Sequence, residues 1–270
     1  MTEQDIIPHG LLWIHKFSRG SRKKKLILIQ GCFHSDNYPE IDYSAWTRSC
    51  RRAGFQGTIN GFFKESLDYE SILEEYAHGL GDIMKKCEEK DRTDLTAEII
   101  QKTREQWLDS KSKATAAGEE LACMIALLHD PEKIILMGYS LGCRCIKACL
   151  EALAEKGIEV SEAHLLGGAI ASGESWEKAS RAVRGEITSY YSKNDAILQI
   201  PYHAVELITG IVPPRDKDRT LTSLPPGLLN FSVGLKGITW PGKKVKNIDV
   251  SAFINSHGDF EKNLHHFITF

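Results

Sequence analysis

Hydrophobic and polar positions follow two alternating patterns along the chain. Short continuous apolar runs, such as LILI before Gln30 and IILM before Gly138, are typical of strands that a parallel sheet buries on both faces. Segments with apolar residues at helical intervals lie between such runs. Because strands that alternate with helices form right-handed βαβ units, the pattern predicts a mostly parallel, doubly wound sheet with helices on both faces.

The same pattern locates the individual elements. The predicted strands are LLWIHKF and LILIQG, joined by a turn SRGSRKKK, then FQGTINGFF, residues 133–137, 163–169 and 186–192, and a last strand near 246–252. The predicted helices are IDYSAWTRSCRRAG, residues 142–156, a segment near 175–184, and the C-terminal DFEKNLHHFITF. The 270 residues fit one large α/β domain over residues 1–270.

Two regions depart from this repeat. Residues 62–118 are expected to hold a helical insertion, and a stripe of apolar positions that starts in it predicts core packing: Trp107, Ala114, Ala117, Leu121, Ile125 and Leu128. Residues 200–245 carry several prolines and glycines, which predicts a lid-like excursion between the last two strands. Its apolar residues either cover a substrate pocket or close the core: Ile200, Val205, Leu207, Ile208, Ile211 and Val212.

Composition excludes several classes of protein. The formal charge of −2 gives no global field for nucleic acid, and the basic run at residues 19–25 stands alone, so it indicates a solvated turn rather than a nucleic-acid site. Seven cysteines is an odd number, and those in CRC lie on a predicted helix, which indicates reduced, packed thiols. The N-terminus lacks a signal-peptide pattern, and no apolar run is long enough to span a bilayer. These features favour a cytoplasmic protein, and transient membrane contact remains compatible with them.

The sequence GYSLG at residues 138–142 joins an apolar strand to a helix. This arrangement is typical of a nucleophile elbow, in which a sharp turn presents a serine at the end of the sheet. The flanking Gly138 and Gly142 are expected to leave room for neighbouring chain segments at the turn. Ser140 is therefore the predicted nucleophile.

A serine needs a base to remove its proton, and the base needs an orienting carboxylate. Asp195 follows a predicted strand in YYSKNDAIL, and His257 follows the last strand in SHGDF. Their order after Ser140 is that of an α/β-hydrolase triad. Taken singly, Asp195 also fits an ordinary turn residue and His257 a helix cap. Asp249 is the second candidate for the acid, and the two histidines of the predicted last helix, His265 and His266, are expected to pack or face solvent.

The oxyanion hole requires two backbone amides. Leu141 supplies the first, and Gly31 ends a buried strand so that Cys32 or Phe33 can supply the second. Cys32 as the nucleophile is the competing interpretation, but no glycine elbow surrounds it. The sequence has neither a phosphate-binding loop nor the spacing of zinc ligands, so no cofactor and no metal are expected.

Several further motifs carry a resemblance to a known family. From about residue 26 to the C-terminus the chain contains, in order, LIQGCF, YSAWTRSC, WLDSKSKATAAGEELACMIA, GYSLGCRCIKACL, HLLGGAI, YYSKNDAIL and SHGDF. It thereby resembles the uncharacterised α/β-hydrolase family typified by transmembrane-and-coiled-coil-domain proteins. The resemblance implies Ser140, Asp195 and His257 as nucleophile, acid and base. The chain departs from that family in having Tyr139, where histidine is commoner, and in lacking the membrane segments of larger members.

Two functions from different classes follow. The first is a serine hydrolase that cleaves a small-molecule or lipid-like ester through an acyl-enzyme intermediate. The second is a hydrolase-fold binding or scaffolding module with a vestigial triad, because this fold hosts both. The complete set of serine, aspartate and histidine in the expected order favours the first.

Overall fold

A single mixed sheet forms the centre of the molecule. The computed structural model describes residues 12–18, 21–31, 43–64, 92–199, 202, 206 and 231–270. The strands of the sheet are β1 (Leu12–Ser18), β2 (Ser21–Ile29), β3 (Gly57–Lys64), β4 (Ile134–Tyr139), β5 (Glu162–Leu166), β6 (Ile187–Tyr191) and β7 (Val245–Asp249).

The strand order is β1-β3-β2-β4-β5-β6-β7. Only β1 is antiparallel, and it pairs with β3 rather than with β2, its neighbour along the chain. All the other pairs are parallel, so the predicted doubly wound, mostly parallel sheet is confirmed. The predicted turn SRGSRKKK is too long, because β2 already begins at Ser21 and the basic residues that follow belong to it.

The helices occupy both faces of this sheet. They are α1 (Ser44–Arg52), α2 (Arg92–Ala126), α3 (Gly142–Glu155), α4 (Glu177–Ser180), α5 (Ala196–Gln199), α6 (Val233–Lys236) and α7 (Phe260–Asn263). The predicted helix near 175–184 is shorter than expected. The predicted C-terminal helix is in fact a series of three short pieces, with a 3-10 turn on either side of α7.

Side chains of β4 alternate between two separate hydrophobic clusters. Ile134 and Leu136 point to a mainly aliphatic cluster shared with α2 and α3. Ile135 and Met137 point to the opposite cluster, which is shared with α1 and the C-terminal segment. This period of two is the ordinary geometry of a strand, and it decides which face each residue near the end of β4 will meet.

Helix α2 packs closely on α3, the helix that follows the elbow. A Cβ added at Gly118 would lie 2.8 Å from Cβ of Ala148 and 2.9 Å from the backbone nitrogen of Cys149, so only glycine permits this approach. The predicted stripe is confirmed as core: Trp107, Ala114, Ala117, Leu121 and Ile125 are buried, and Leu128 packs against the cluster partly buried.

The predicted subdivision of the chain stays a prediction. Strand β3 continues to Lys64 and α2 runs unbroken past residue 118, so the proposed limits of the helical insertion fall inside elements. Most of the lid-like excursion at 200–245 lies outside the described residues, as do all six of its apolar residues named above.

Candidate active site

Ser140 lies at a strained turn between β4 and α3. Its φ angle is 54°, and among the described residues it is the only one other than glycine with a positive φ. Such a conformation costs about 1–3 kcal/mol and persists only where the surroundings enforce it. Here the Ser140 amide donates to the Leu166 carbonyl at 2.9 Å, and the Ser140 carbonyl accepts from the Ala169 amide at 3.0 Å. The predicted elbow therefore has its expected backbone form.

Three glycines make room for this turn. A Cβ on Gly138 would lie 2.8 Å from the carbonyl oxygen of Gly142, and a Cβ on Gly142 would lie 2.7 Å from that of Gln30. A Cβ on Gly31 would collide with the Cβ of Ser140 and lie 2.6 Å from the carbonyl oxygen of Tyr139. Gly31 therefore has a steric role, because the chain that leaves β2 passes directly against the elbow.

The three residues predicted as a triad lie in one hydrogen-bonded chain. His257 Nε2 lies 2.9 Å from Ser140 Oγ, and His257 Nδ1 lies 2.6 Å from Asp195 Oδ2. In the tautomer with hydrogen on Nδ1, the ring donates to the carboxylate and accepts from the serine hydroxyl. Asp195 is fully buried, Ser140 is 3% exposed and the His257 side chain is 13% exposed, so the histidine is the most exposed of the three.

Both oxygens of the Asp195 carboxylate have partners. Oδ2 accepts from His257, and Oδ1 accepts from the Leu198 backbone amide at 3.0 Å. A buried carboxylate is costly unless it is hydrogen-bonded in this way. The Leu198 bond also fixes the rotation of the carboxylate, so that its other oxygen faces the imidazole.

A network of hydrogen bonds joins the turn that carries Asp195 to the loop before His257. Ser192 Oγ donates to the Ile254 carbonyl at 2.7 Å, and Asn194 Nδ2 donates to the Ser251 carbonyl at 2.9 Å. The Lys193 amide donates to Ser251 Oγ at 2.9 Å. The two segments are far apart in sequence, and these bonds set the distance between them.

The 3-10 turn His257–Asp259 is capped by residues other than His257. Asp259 Oδ2 accepts from the amides of Ser256 and Asn255 at 2.8 and 3.0 Å, which forms a capping box with Ser256. Burial opposes ionisation of Asp259, but these hydrogen bonds outweigh it and lower its pKa. Ser256 and Asp259 therefore cap the turn, and the His257 ring is left to face Ser140.

Tyr139 contacts the same histidine, and the sequence analysis assigned it no role. Its hydroxyl donates to the His257 carbonyl at 2.7 Å, and the two rings lie 4.9 Å apart between centroids with a 33° tilt. The only signal in the sequence was its departure from the commoner histidine. The alternation of side chains along β4 could have shown that Tyr139 faces the C-terminal segment.

The competing candidates lie elsewhere. Asp249 accepts from Ser251 and pairs with Lys193 at 2.8 Å. Burial opposes ionisation of Asp249, but these partners lower its pKa to about 2. His265 Nδ1 contacts Ser49 Oγ at 3.2 Å, and His266 stacks on Phe253. Both histidines lie in a 3-10 turn rather than in the predicted helix.

Of the residues predicted for the oxyanion hole, Leu141 lies within the described part of the chain. Leu141 follows the serine as the N-cap of α3, which is where the first amide is predicted. A Cβ on Gly31 would lie 2.9 Å from the Leu141 nitrogen, so the chain that leaves β2 packs directly against the Leu141 backbone. Cys32 and Phe33, the predicted second donors, lie outside the described residues, and so does Cys32 as the alternative nucleophile.

An apolar cluster adjoins the elbow on the side of α2. It contains Trp107, Ala114, Leu141, Ala169, Leu198, Tyr202 and Leu235. Two of these lie close to the candidate triad in the sequence. Leu141 follows Ser140, and Leu198 donates its backbone amide to Asp195. Glu206 lies beyond the cluster and accepts from Trp107 Nε1 at 2.7 Å and from Lys111 Nζ at 2.8 Å. Tyr202 and Glu206 of the excursion therefore pack against α2 beside the candidate site.

The cavity found between α2 and α3 is polar. It measures about 430 Å³ and is lined in part by Lys111, Arg144, Glu174 and Glu206. Its charges pair with one another, since Lys111 binds Glu206 and Arg144 lies 3.3 Å from Glu174. Among the described residues, no group of three histidine, cysteine or acidic side chains is placed to hold a metal ion.

The strand order, the elbow after β4, and the placement of Asp195 and His257 after β6 and β7 together define an α/β-hydrolase fold. Within this class, residues 97–215 match the family described as "Protein of unknown function (DUF726)". The resemblance to an uncharacterised α/β-hydrolase family, predicted from the motifs, is thereby confirmed.

The chain is also similar to longer eukaryotic proteins. It is 29% identical over 161 residues to "Transmembrane and coiled-coil domain-containing protein STS1" of Oryza sativa subsp. japonica, a match over 57% of this chain and 21% of that protein. It is 26% identical over 166 residues to an uncharacterized membrane protein of Caenorhabditis elegans, over 58% of this chain and 23% of that protein. A third relative, an uncharacterized membrane protein of Schizosaccharomyces pombe, is 29% identical over 163 residues, 58% of this chain and 18% of its own length. The chain therefore spans about a fifth of the length of these curated relatives.

Solved structures resemble the chain over nearly its whole length. A predicted CIB-like hydrolase from Thermoplasma acidophilum matches with a TM-score of 0.41 and 10% identity, over 98% of this chain and 93% of that one. A thioesterase domain from the curacin biosynthetic pathway matches with a TM-score of 0.39 and 14% identity, over 98% and 96%. The assignment of the fold rests on the strand order and the elbow.

The relatives correct one prediction. A cytoplasmic location was expected, but all three relatives are named as transmembrane or membrane proteins, so that expectation is wrong. In the part of the chain that the structure describes, no helix combines the length and the apolar character needed to cross a membrane.

Proposed function

We propose that this protein is a serine hydrolase that cleaves an ester of a small or lipid-like acyl group. The observation that carries the proposal is the chain of hydrogen bonds from Asp195 through His257 to Ser140, at 2.6 and 2.9 Å. Distances in this range allow direct proton transfer between nucleophile and base. The serine is also the strained residue at the end of the central strand, where the elbow presents it.

The reaction proceeds in two halves. Ser140 Oγ attacks the ester carbonyl carbon while His257 Nε2 takes the hydroxyl proton, and the tetrahedral oxyanion is stabilised by backbone amides that include Leu141. Collapse of this intermediate breaks the bond to the alcohol, which leaves with the proton from His257. Water then attacks the acyl-serine, gives its proton to His257, and releases the carboxylic acid as the proton returns to Ser140.

Asp195 acts through His257 in both halves. Its buried carboxylate keeps the hydrogen on Nδ1, so that Nε2 is available as the base, and it stabilises the imidazolium that forms. The bond from the Leu198 amide holds the carboxylate in this orientation. The apolar cluster around Leu141 and Leu198 supports an acyl group as the substrate portion that lies nearest the serine.

A fluorophosphonate probe tests the proposal, because it labels only an activated serine. The wild-type protein should be labelled at Ser140, and Ser140→Ala should not be labelled. The same substitution should lower kcat for the hydrolysis of p-nitrophenyl esters by on the order of 10⁴ to 10⁶. Ser175→Ala, which changes an exposed serine, is the matched control and should react like the wild type. Comparison of esters of different acyl length then defines the preferred chain.

A binding or scaffolding module is the alternative function. It predicts a folded wild-type protein that neither reacts with the probe nor hydrolyses any of the esters. Labelling of Ser175→Ala, together with the absence of labelling in Ser140→Ala, would exclude this alternative. Equal labelling of Ser140→Ala and the wild type would contradict the assignment of the nucleophile.

A further inference from the structure

We propose that Tyr139 is a positioning residue for the base of this site, acting on His257 through both its backbone and its ring. This inference rests on the proposed hydrolase function and extends it to a residue that the triad does not include. Tyr139 is the last residue of β4, directly before Ser140. A single strand end would then present the nucleophile and hold the base.

The geometry of the strand places the Tyr139 side chain. Ile135, Met137 and Tyr139 are two residues apart and share one face, which packs against the C-terminal segment with Phe260 and Leu264. His257 precedes that segment. The alternation of β4 therefore directs Tyr139 toward the base, while the positive φ of Ser140 turns the next side chain out of the strand pattern.

Two contacts act on different parts of His257. The Tyr139 hydroxyl donates to its backbone carbonyl at 2.7 Å, which fixes the peptide that carries the ring. The phenol ring lies 4.9 Å from the imidazole, which limits rotation of the ring away from Ser140. The bond to Asp195 restrains only one edge of the imidazole, so the contact with Tyr139 supplies a separate restraint on its face.

Other aromatic rings hold Tyr139 itself in place. Trp46 of α1 lies 5.7 Å from the Tyr139 ring, and Phe260 lies 6.0 Å from it. Both are buried. Because these neighbours are buried and packed, they hold the Tyr139 ring in place relative to the sheet. Tyr139 can then hold His257 in place. This also gives a role to the tryptophan of the motif YSAWTRSC.

The ring contact has a consequence for charge. His257 becomes an imidazolium during each half-reaction, and an aromatic face within about 6 Å attracts a cation. Removal of the phenol ring should therefore destabilise the imidazolium and lower kcat. Removal of the hydroxyl alone should keep this contribution, because the ring remains.

Two substitutions separate these effects. Tyr139→Phe should lower kcat on a short soluble ester by about three- to tenfold with little change in KM, since it removes one hydrogen bond. Tyr139→Leu should lower kcat further, because the ring contact with His257 is lost as well. Tyr191→Phe, at the end of the parallel strand β6, which β5 separates from β4, is the matched control and should retain wild-type kcat.

Proton NMR gives a readout that does not require activity. The downfield signal of the His257 Nδ1 proton, shared with Asp195, should be retained in the wild type and Tyr191→Phe and should broaden or shift in Tyr139→Phe. An unchanged signal and unchanged kcat in Tyr139→Phe would overturn the inference. Absence of hydrolysis by the wild type would overturn the proposed function instead, whereas the NMR comparison would still decide whether Tyr139 positions His257.

Discussion

The two faces of the sheet differ in chemistry. The face covered by α2 and α3 is mainly aliphatic, with small residues and buried cysteines where the two helices meet. The face covered by α1 and the C-terminal segment is rich in aromatic residues, and Trp46, Tyr139 and Phe260 lie there in a connected group. The proposed base belongs to the aromatic face, and the proposed nucleophile lies where β4 leaves the sheet.

This difference indicates a division of tasks. Close packing of α2 on α3 fixes the helix that begins beside Ser140, so the aliphatic face acts mainly through stability. The aromatic face fixes the orientation of one imidazole, so small changes there should affect reactivity more than stability. The predictions below test this division, from the largest expected effect on reactivity to the smallest.

Loss of the base should have the largest effect. His257→Ala should lower kcat on a soluble ester by on the order of 10⁴ to 10⁶, the same as Ser140→Ala, because the nucleophile and base act as one unit. His265→Ala changes a histidine that contacts Ser49 instead of the serine nucleophile, and it should keep most activity. Steady-state kinetics with both variants makes the comparison.

Acidic pH should act on the same group. Wild-type activity should fall as the solution is made acidic, because only the neutral ring accepts the serine proton. Activity that stayed constant into mildly acidic solution, or equal losses in His257→Ala and His265→Ala, would remove the case for His257.

Gly31→Ala should damage the elbow from the neighbouring strand. The added Cβ meets the Cβ of Ser140 and the backbone of Tyr139, so the variant should lose about 1–3 kcal/mol of stability through overpacking. Displacement of the serine should also lower probe labelling by about 10²-fold. Gly258→Ala is the control, since a Cβ there has nothing within 4 Å. Thermal melts and labelling rates that matched in the two variants would contradict the close approach of β2.

Substitutions on the two faces should separate stability from reactivity. Leu150→Ala on α3 removes a buried side chain of the aliphatic cluster and should cost about 2–5 kcal/mol of unfolding free energy. Below its melting transition the variant should label at the wild-type rate. Trp46→Leu should instead slow labelling, because the support of Tyr139 is lost. Denaturant melts and labelling rates should be measured on both variants. Slow labelling of Leu150→Ala together with wild-type labelling of Trp46→Leu would contradict the division of tasks between the two faces.

Cysteine accessibility should report the aliphatic face without any change of sequence. Burial raises the pKa values of Cys143 and Cys149 on α3, so these thiols stay protonated and unreactive at neutral pH. Cys123 is exposed and should react first with a maleimide among the described cysteines. Peptide mass spectrometry before and after unfolding measures this order. Early labelling of Cys143 in the folded protein would show that α3 does not pack as described.

Much of the fold could be predicted because local and global signals agreed. The apolar runs of β2 and β4 are continuous, as in strands buried on both faces, and the glycines of the elbow stand at fixed offsets from Ser140. The sequence could not show that β1 pairs with β3, because pairing depends on contacts between residues far apart in the chain. The short pieces around α7 were equally hidden, since packing of single aromatic residues decides them.

For the candidate site, the sequence predicted the residues that the structure brings together but not the bonds that hold them. Residue types and their order indicated Ser140, Asp195 and His257, whereas the bonds that hold them are made by ordinary residues such as Leu198, whose backbone alone takes part. A backbone donor leaves no trace in the sequence. Tyr139 was visible only as an exception to the common histidine.

The phase of β4 has a consequence for how the length of this protein can change during evolution. A deletion of one residue within Ile134–Tyr139 would exchange the two faces of the strand and turn the tyrosine position away from His257. An insertion at the exposed turn around Gly157 would meet open space and leave every strand in phase. Homologues should therefore vary in length at such turns and keep the six residues of β4 without gaps.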